Sequence, residues 1–397
     1  MKRASTVGGG GSKLKILFWL SLGLVIYTYL GYPLLLFLIS RIRTKPIARN
    51  LIEPDLSIII AAHNEEASLR TKLENTIGLS YPINKREIIV VSDGSTDRTE
   101  TVAREFEPAG VRCIALTDRL GKAAALNEGV RQANGDILVF SDVGTLADRF
   151  CLQQLVSNFA EPAIGCASTE DHIVSSGNGF GEGAYVKFEM VLRRLETRVC
   201  SCVAVSGSFY AIRKEICPLF PDGAATDLLS VVAAVRIDKR AISDPDAIAR
   251  MSTVKKHSDE FQRKVRTVLT GLTCLPQLLP LLNPFRYGFF SIELISHKIL
   301  RWMGGMFLIL MLFTSGFLST DSKIYATALT IQVVVYFLTA VGICVERLAD
   351  RFLLVRLPLF FVMTNVSALV ACWEYLFGKR AVTWEPSKRS TKEKIAK

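Results

Sequence analysis

Residues Glu87 to Thr99 read EIIVVSDGSTDRT, an apolar run that stops at an acidic, glycine- and hydroxyl-rich turn. The unbroken Ile and Val stretch lacks the alternation of a half-exposed strand and describes one buried on both faces of a parallel sheet. Sheets of that kind bind ligands beyond the carboxyl ends of their strands, so Asp93 is positioned to meet a ligand rather than a core. Asp97 is a candidate cap for the helix that follows.

Two more apolar runs, Ser57 to Ala62 and Ile137 to Ser141, alternate with helical-looking segments between about Leu56 and Arg266, the pattern of an α/β domain. The first run ends in Ala62, His63, Asn64 and Glu65, where small residues let a flat group such as a base approach the backbone. Asp93 adds a carboxylate suited to a nucleobase N–H or a ribose hydroxyl, and Asp142 closes the third run at the same edge. Between them, Lys122 follows Gly121 at the start of an Ala-rich helix, offering an anion both an ammonium and free backbone N–H groups, with Arg119 in support. Together these features suit a nucleotide.

The chain has 397 residues, half of them hydrophobic, with 21% charged and a mean hydropathy of +0.31. It is too apolar for a wholly soluble protein and too charged for a pure membrane bundle. The formal charge of +11 is spread out and gathers beside apolar segments, which reads as a membrane flank. No clustered basic and aromatic platform is present, so nucleic acid is not an expected partner. Nine Cys without metal or CxxC spacing argue for reduced thiols.

Composition divides the chain into seven parts. Residues 1–12 are polar and Gly-rich and are set aside, 13–40 form a transmembrane helix without signal-peptide features, and 41–55 are a basic linker. Residues 56–266 are the α/β domain, and 267–298, broken by Pro276, Pro280 and Pro284, are interfacial helices. Three spans are expected within 299–378, then a basic tail, 379–397. This arrangement carries a conflict. One span before a cytosolic domain and three after it put the basic tail outside, against the positive-inside rule, and the segment Leu357 to Phe377, with Glu374 inside it, is the weakest span.

The set AAHNEE, VVSDGSTD, RLGKAAALN and GDILVFSD, in this order and spacing, resembles the inverting family 2 glycosyltransferases with the A-type, Rossmann-like nucleotide-sugar fold. The flanking spans resemble the membrane-bound subset of cellulose, hyaluronan and poly-N-acetylglucosamine synthases and exopolysaccharide glycosyltransferases. The resemblance implies donor binding by Ala62, Asn64, Glu65, Asp93, Lys122 and Asp142, with Asp142 opening a DxD motif that places Mg2+ or Mn2+ on the diphosphate. It also implies a cytosolic catalytic domain at the plasma (inner) membrane. The chain departs from the motif: Asp142, Val143, Gly144 leaves one carboxylate for the metal, which suffices where phosphates and water complete the shell. His257 and Asp171 are alternative sources of a second ligand.

Downstream, VAVSGSFYAIRKE resembles the acceptor-side segment, with Ser206, Gly207 and Ser208 where a sugar ring would pass. Ala225, Thr226, Asp227 stand where the family has its base motif, and the resemblance makes Asp227 the base that deprotonates the acceptor hydroxyl. EFQRKVRTVLTG resembles the QxxRW helix, keeping Arg263 and Arg266 for the diphosphate but carrying Thr267 in place of the stacking Trp. The segment YVKFEMVLRRLETR reads as an amphipathic packing helix, and the glycines at 177, 179, 181 and 183 as an acceptor-facing loop.

The expected function is transfer of a sugar from a nucleotide-sugar, with UDP as the nucleotide, to a glycan or lipid-linked acceptor at the membrane lipid surface. A processive polysaccharide synthase and a catalytically silent nucleotide-sugar-binding subunit are the alternatives.

Overall fold

The structure is a computed structural model that describes residues 8–174, 180–252 and 257–383. Eight strands form one mixed sheet: β1 (Leu56–Ala62), β2 (Arg86–Asp93), β3 (Val111–Leu116), β4 (Ile137–Ser141), β5 (Thr145–Ala147), β6 (Ile164–Val174), β7 (Phe209–Arg213) and β8 (Arg240–Ser252), in the order β3-β2-β1-β4-β7-β6-β8-β5. β1 pairs in parallel with β2 and β4, and β2 with β3, so these four strands end at one edge. β7 runs antiparallel to β4 and β6. The sheet therefore changes from parallel to mixed at β4, and β7 begins where β4 ends.

All seven residues of β1 and the last six of β2 are buried, as their unbroken apolar runs require. Ile58, Ile60, Val90 and Val139 face one layer with Leu69 and Leu73, while Ile59, Val91, Leu138 and Phe140 face the other with Leu126 and Leu228. Three strands carry no such signal. β3 is a half-exposed edge strand, β6 buries the polar run Ser168, Thr169, Glu170 and Asp171, and β8 contains Pro245 beside a register shift.

The helix His257–Thr273 runs straight through the expected domain boundary at 266/267. Its Leu269 and Leu272, with Cys274, Leu278 and Leu281 from the Pro-broken stretch after it, belong to the same core as Leu228 and Leu229, so these helices dock on the domain. A sharp bend of 53° separates 258–273 from 275–282.

Four helical stretches are long and apolar enough to cross a membrane: Gly11–Ile42, Phe289–Leu318, Lys323–Cys344 and Leu353–Leu376. The first exceeds the expected 13–40 span and contains a wide π turn at Tyr27–Gly31. Its upper part, Tyr32 and Leu36, packs on Leu192, Leu195 and Val199 of the helix Phe180–Val199, giving that amphipathic helix its apolar contact. Because this helix begins at Phe180, Gly181 and Gly183 are not in a loop, while Gly177 and Gly179 lie outside the described residues.

Lys15 pairs with Asp321 at 3.3 Å, so the start of the first span meets the loop after Leu318. At the other end Lys45 N–H donates to the carbonyl of Arg198 in the α/β domain. The last helix touches the first span through Phe361, whose ring lies 5.1 Å from that of Tyr29, and makes its other contacts nearer the domain. Its Val355 and Leu359 meet Gly342, Lys264 sits over Phe360 at 4.4 Å, and Asn365 and Leu369 meet Gly304 and Gly305. Beyond it, the carbonyl of Val382 lies on Gly121 and Ala381 lies on Gly223. Both ends of Leu353–Leu376 thus stand beside the α/β domain.

Candidate active site

The carboxyl edge of β1, β2 and β4 is a web of side chains closed on one another. Asp93 is fully buried, and its two carboxylate oxygens accept the N–H groups of Leu120 at 2.8 Å and Gly121 at 2.9 Å. In this conformation it ties the strand end to the loop before the helix Lys122–Gln132, which a carboxylate does well because it can take several N–H donors. Gly121 has φ +102, and an added Cβ would lie 2.2 Å from the Val382 carbonyl, so both backbone conformation and space demand glycine.

Asn64 adopts φ 51, and its Oδ1 accepts the N–H of Thr96 at 2.8 Å, joining the turns after β1 and β2. Glu65 N–H donates to Thr99 Oγ1 at 2.7 Å, and Ala62 is buried beneath them. Asp97 accepts from the N–H groups of Thr99 and Glu66, so it caps the starts of two helices. Burial alone would raise its pKa, but the hydrogen bonds from Thr99 and Glu66 outweigh this and hold it below the usual range.

At the end of β4 the Lys122 ammonium lies 2.5 Å from Asp142 Oδ1, both about one-third exposed. Behind them Lys72, fully buried, donates to Ser141 Oγ at 2.6 Å and to the carbonyl of Thr145 at 2.8 Å. Burial pushes its pKa down to about 7. Sequence reading missed Lys72. A Lys three residues past the first Leu of an ordinary helix carries no motif, and only the packing of Glu66–Ile77 against β4 brings it under Asp142.

Among the described residues no group of three His, Cys, Asp or Glu side chains is arranged to hold a metal ion. Asp142 is the carboxylate placed for a divalent cation, as one protein ligand beside phosphate oxygens and water. Asp171 is not a second ligand. It is buried and accepts hydrogen bonds from Ser206 and Ser208, the latter at 2.9 Å. The His257 side chain lies outside the described residues.

The β4/β7 junction brings the other half of the site to this edge, where Asp142 N–H donates to the carbonyl of Ser208 at 2.9 Å. Ser206 and Ser208 turn their hydroxyls inward to Asp171 and shape the turn, while Gly207 between them is part-exposed. A Cβ on Gly207 would lie 3.4 Å from Asp227 Cγ and 3.5 Å from Oδ2. Asp227 sits in the first turn of Thr226–Arg236, half-buried, and among the described residues its carboxylate has no hydrogen bond or ion pair.

The helix His257–Thr273 passes this point, where the carbonyl of Thr270 accepts Ala225 N–H at 3.2 Å. Arg266 lies one turn upstream, and Arg263 points its guanidinium at Glu260, at 2.7 and 2.9 Å, instead of standing open to a diphosphate.

The Glycosyl transferase family 2 model matches residues 57–215, which contain the whole β1–β4 edge and the Ser206–Ser208 turn. Residues 57–215 are thus a family 2 glycosyltransferase domain. Poly-beta-1,6-N-acetyl-D-glucosamine synthase of Staphylococcus aureus is 27% identical over 165 residues, covering 40% of this chain and 40% of that protein. The Staphylococcus epidermidis protein of the same name is 25% identical over 186 residues, covering 44% and 45%. The aligned stretch thus spans less than half the length of these relatives. The solved mannosyltransferase PcManGT from Pyrobaculum calidifontis, in complex with GDP-Man and Mn2+, superimposes with a TM-score of 0.70 at 22% identity, over 92% of this chain and 100% of that one. The fold of this glycosyltransferase is accordingly the A-type fold with additional apolar helices.

Proposed function

We propose that the enzyme is a membrane-integrated, inverting glycosyltransferase that moves a sugar from a nucleotide-sugar, with UDP as the expected nucleotide, to a glycan or lipid-linked acceptor in cell-surface polysaccharide synthesis. One observation carries this reading: the unpartnered carboxylate of Asp227 stands over Gly207, a residue away from the turn hydrogen-bonded to Asp142. A carboxylate that is free on the acceptor side, next to a cationic donor edge, suits inverting transfer. The acceptor oxygen attacks the anomeric carbon, its proton passes to Asp227, and the bond to the diphosphate breaks with its electron pair leaving on the phosphate oxygen.

Lys122 is the chain's own cation for that developing charge, released from Asp142 as the diphosphate enters. Asp142 would hold Mg2+ or Mn2+, which supplies further charge neutralisation at the diphosphate when bound. With Asp93 occupied, base recognition falls to the exposed turn at Asn64 and Glu65, over the buried Ala62, and Asp93 acts by holding the Leu120–Gly121 loop in place.

The contacts of the last helix support three crossings rather than four. Gly11–Ile42, the helix through Leu318 and Lys323–Cys344 connect the Lys15–Asp321 end with the domain, while Leu353–Leu376 lies along the domain side. The catalytic domain and the basic tail then share the cytosolic side of the plasma membrane, and the positive-inside conflict disappears.

A screen of nucleotide sugars for diphosphate release, run on the full chain in detergent with Mg2+, Mn2+ and chelator, tests the reading. One donor should give release that is stimulated by membrane extract as acceptor source. No release with any donor, together with no nucleotide binding, would sink it.

A further inference from the structure

Between the Gly207 turn and the membrane-entry helix are two cations that no described residue neutralises by contact. Arg193, on Phe180–Val199, has its Nε and Nη1 buried without a hydrogen-bond partner. Lys298, in the π turn Ile295–Ile299, has no hydrogen bond or ion pair among the described residues and lies within Coulombic reach of Asp227, Arg193 and Glu189. Arg193 is also within reach of Asp171, the carboxylate that holds the Ser206–Ser208 turn. Lys298 is thus within reach of Asp227, and Arg193 within reach of the carboxylate that holds the Ser206–Ser208 turn beside it.

Three of the acids nearby are already engaged, whereas Glu293, on the same helical stretch as Lys298, is buried with neither carboxylate oxygen hydrogen-bonded among the described residues. Glu189 takes Arg301 at 2.5 Å and His297 Nε2 at 3.1 Å, and Glu196 takes His297 Nδ1 at 2.6 Å and the Tyr32 hydroxyl at 2.7 Å. Asp171 is filled by serine hydroxyls. Buried guanidinium N–H groups left unmet carry a desolvation cost, so a chain that keeps them beside the Ser206–Ser208 turn keeps them for a ligand. A planar guanidinium fork and a point-like ammonium together fit a tetrahedral oxyanion. The location adds the rest. Lys298 belongs to the helical stretch that enters the bilayer, at the end next to the catalytic domain, where the headgroup of a lipid would lie.

Resting on the glycosyltransferase reading above, we propose that the acceptor carries a phosphate group, bound by Arg193 and Lys298, that sets an acceptor hydroxyl against Asp227. The two sources of that chemistry are a phosphorylated lipid headgroup and a soluble phosphorylated sugar.

The test uses the full chain in detergent and reads binding by intrinsic fluorescence and thermal shift, with dodecyl phosphate, dodecanol, dodecanoate and inorganic phosphate as probes. Dodecyl phosphate should bind, dodecanol and dodecanoate at least tenfold more weakly, and Arg193→Met or Lys298→Met should each weaken dodecyl phosphate about tenfold. Arg193→Met should leave the unliganded melting temperature unchanged or raised, since a buried unpaired charge is removed; a purely structural arginine would lower it. Inorganic phosphate binding as well as dodecyl phosphate, with the same sensitivity to both substitutions, supports the site and assigns it to a soluble acceptor. Equal binding of dodecanol or dodecanoate, or no effect of either substitution, overturns the proposal. Nucleotide binding is measured on the same samples. Its absence in the unsubstituted protein defeats the glycosyltransferase reading, whereas nucleotide binding retained with no phosphate binding defeats the phosphate subsite alone.

Discussion

Across the cleft, Asn64, Asp93, Asp97 and Asp142 each have a partner within the chain, whereas among the described residues the side chains of Asp227, Arg193 and Lys298 have no hydrogen bond. The first set lies at the ends of parallel strands, where the turns must be held in one shape to cradle a ligand. The second lies where the domain meets its membrane helices, and its charges stand open. A polar group satisfied internally positions, while one left unsatisfied in a buried place waits for a substrate. The contrast teaches which residues act through geometry and which through contact, and substitutions on the two sides should fail in different ways.

The largest effect is expected on the open side. Asp227→Asn should lower turnover about a thousandfold, within the usual range for loss of a general base, with nucleotide affinity and melting temperature unchanged. Diphosphate release and nucleotide titration on the same protein separate the two. Loss of nucleotide binding would place Asp227 on the donor edge and erase the contrast.

On the closed side, Asp93→Ala strips the acceptors from the buried Gly121 N–H and the part-buried Leu120 N–H, at a cost on the order of 2 kcal/mol. It should lower the melting temperature and the nucleotide affinity together, because loop and site are one structure. Were the affinity to fall with stability untouched, Asp93 would be a contact residue as first expected from the strand end.

These two residues also show how far the sequence could be read. The strand that delivers Asp93 was legible because an unbroken apolar run has few other uses, and the neighbouring β1 and β4 followed from the same signal. Which way the Asp93 carboxylate turns was not legible, since that depends on a loop 27 and 28 residues further on. Arg193 and Lys298 were missed for a related reason: on an amphipathic helix and at a membrane flank, a basic residue has an ordinary explanation. Only the pairing of the surrounding acids with Arg301, His297 and Tyr32 shows that these two are left over. The path of the last helix depends on docking against His257–Thr273, which no hydropathy profile contains.

Lys72 belongs to the closed side, and its buried ammonium makes that side sensitive to pH. With the folded pKa near 7 and the ordinary value of 10.5, unfolded Lys72 holds a proton that the folded form lacks between those limits. Its contribution to stability is therefore full above 10.5 and is lost as pH falls through 7, with a slope of up to about 1.4 kcal/mol per pH unit inside the window. Lys72→Met should flatten the rise in thermal stability from pH 7 to 9. An unchanged slope would mean that Ser141 and Thr145 hold the ammonium charged throughout.

The smallest effect should come from Gly207→Ala, which probes the boundary between the two sides. The new methyl would rest 3.4 Å from Asp227 Cγ, ordinary van der Waals contact, so neither the Ser206–Ser208 turn nor the helix Thr226–Arg236 has to move. Melting temperature and nucleotide affinity should stay as they are. The methyl does cover the face of the carboxylate that an approaching hydroxyl must reach, and displacing that hydroxyl by a fraction of an ångström should lower turnover about tenfold. Acceptor KM should rise with it, because the ring that passes over Gly207 loses its closest approach. If Gly207→Ala instead lowers stability and leaves turnover intact, the glycine serves the packing of the turn, and the open side begins at Asp227 rather than at Gly207.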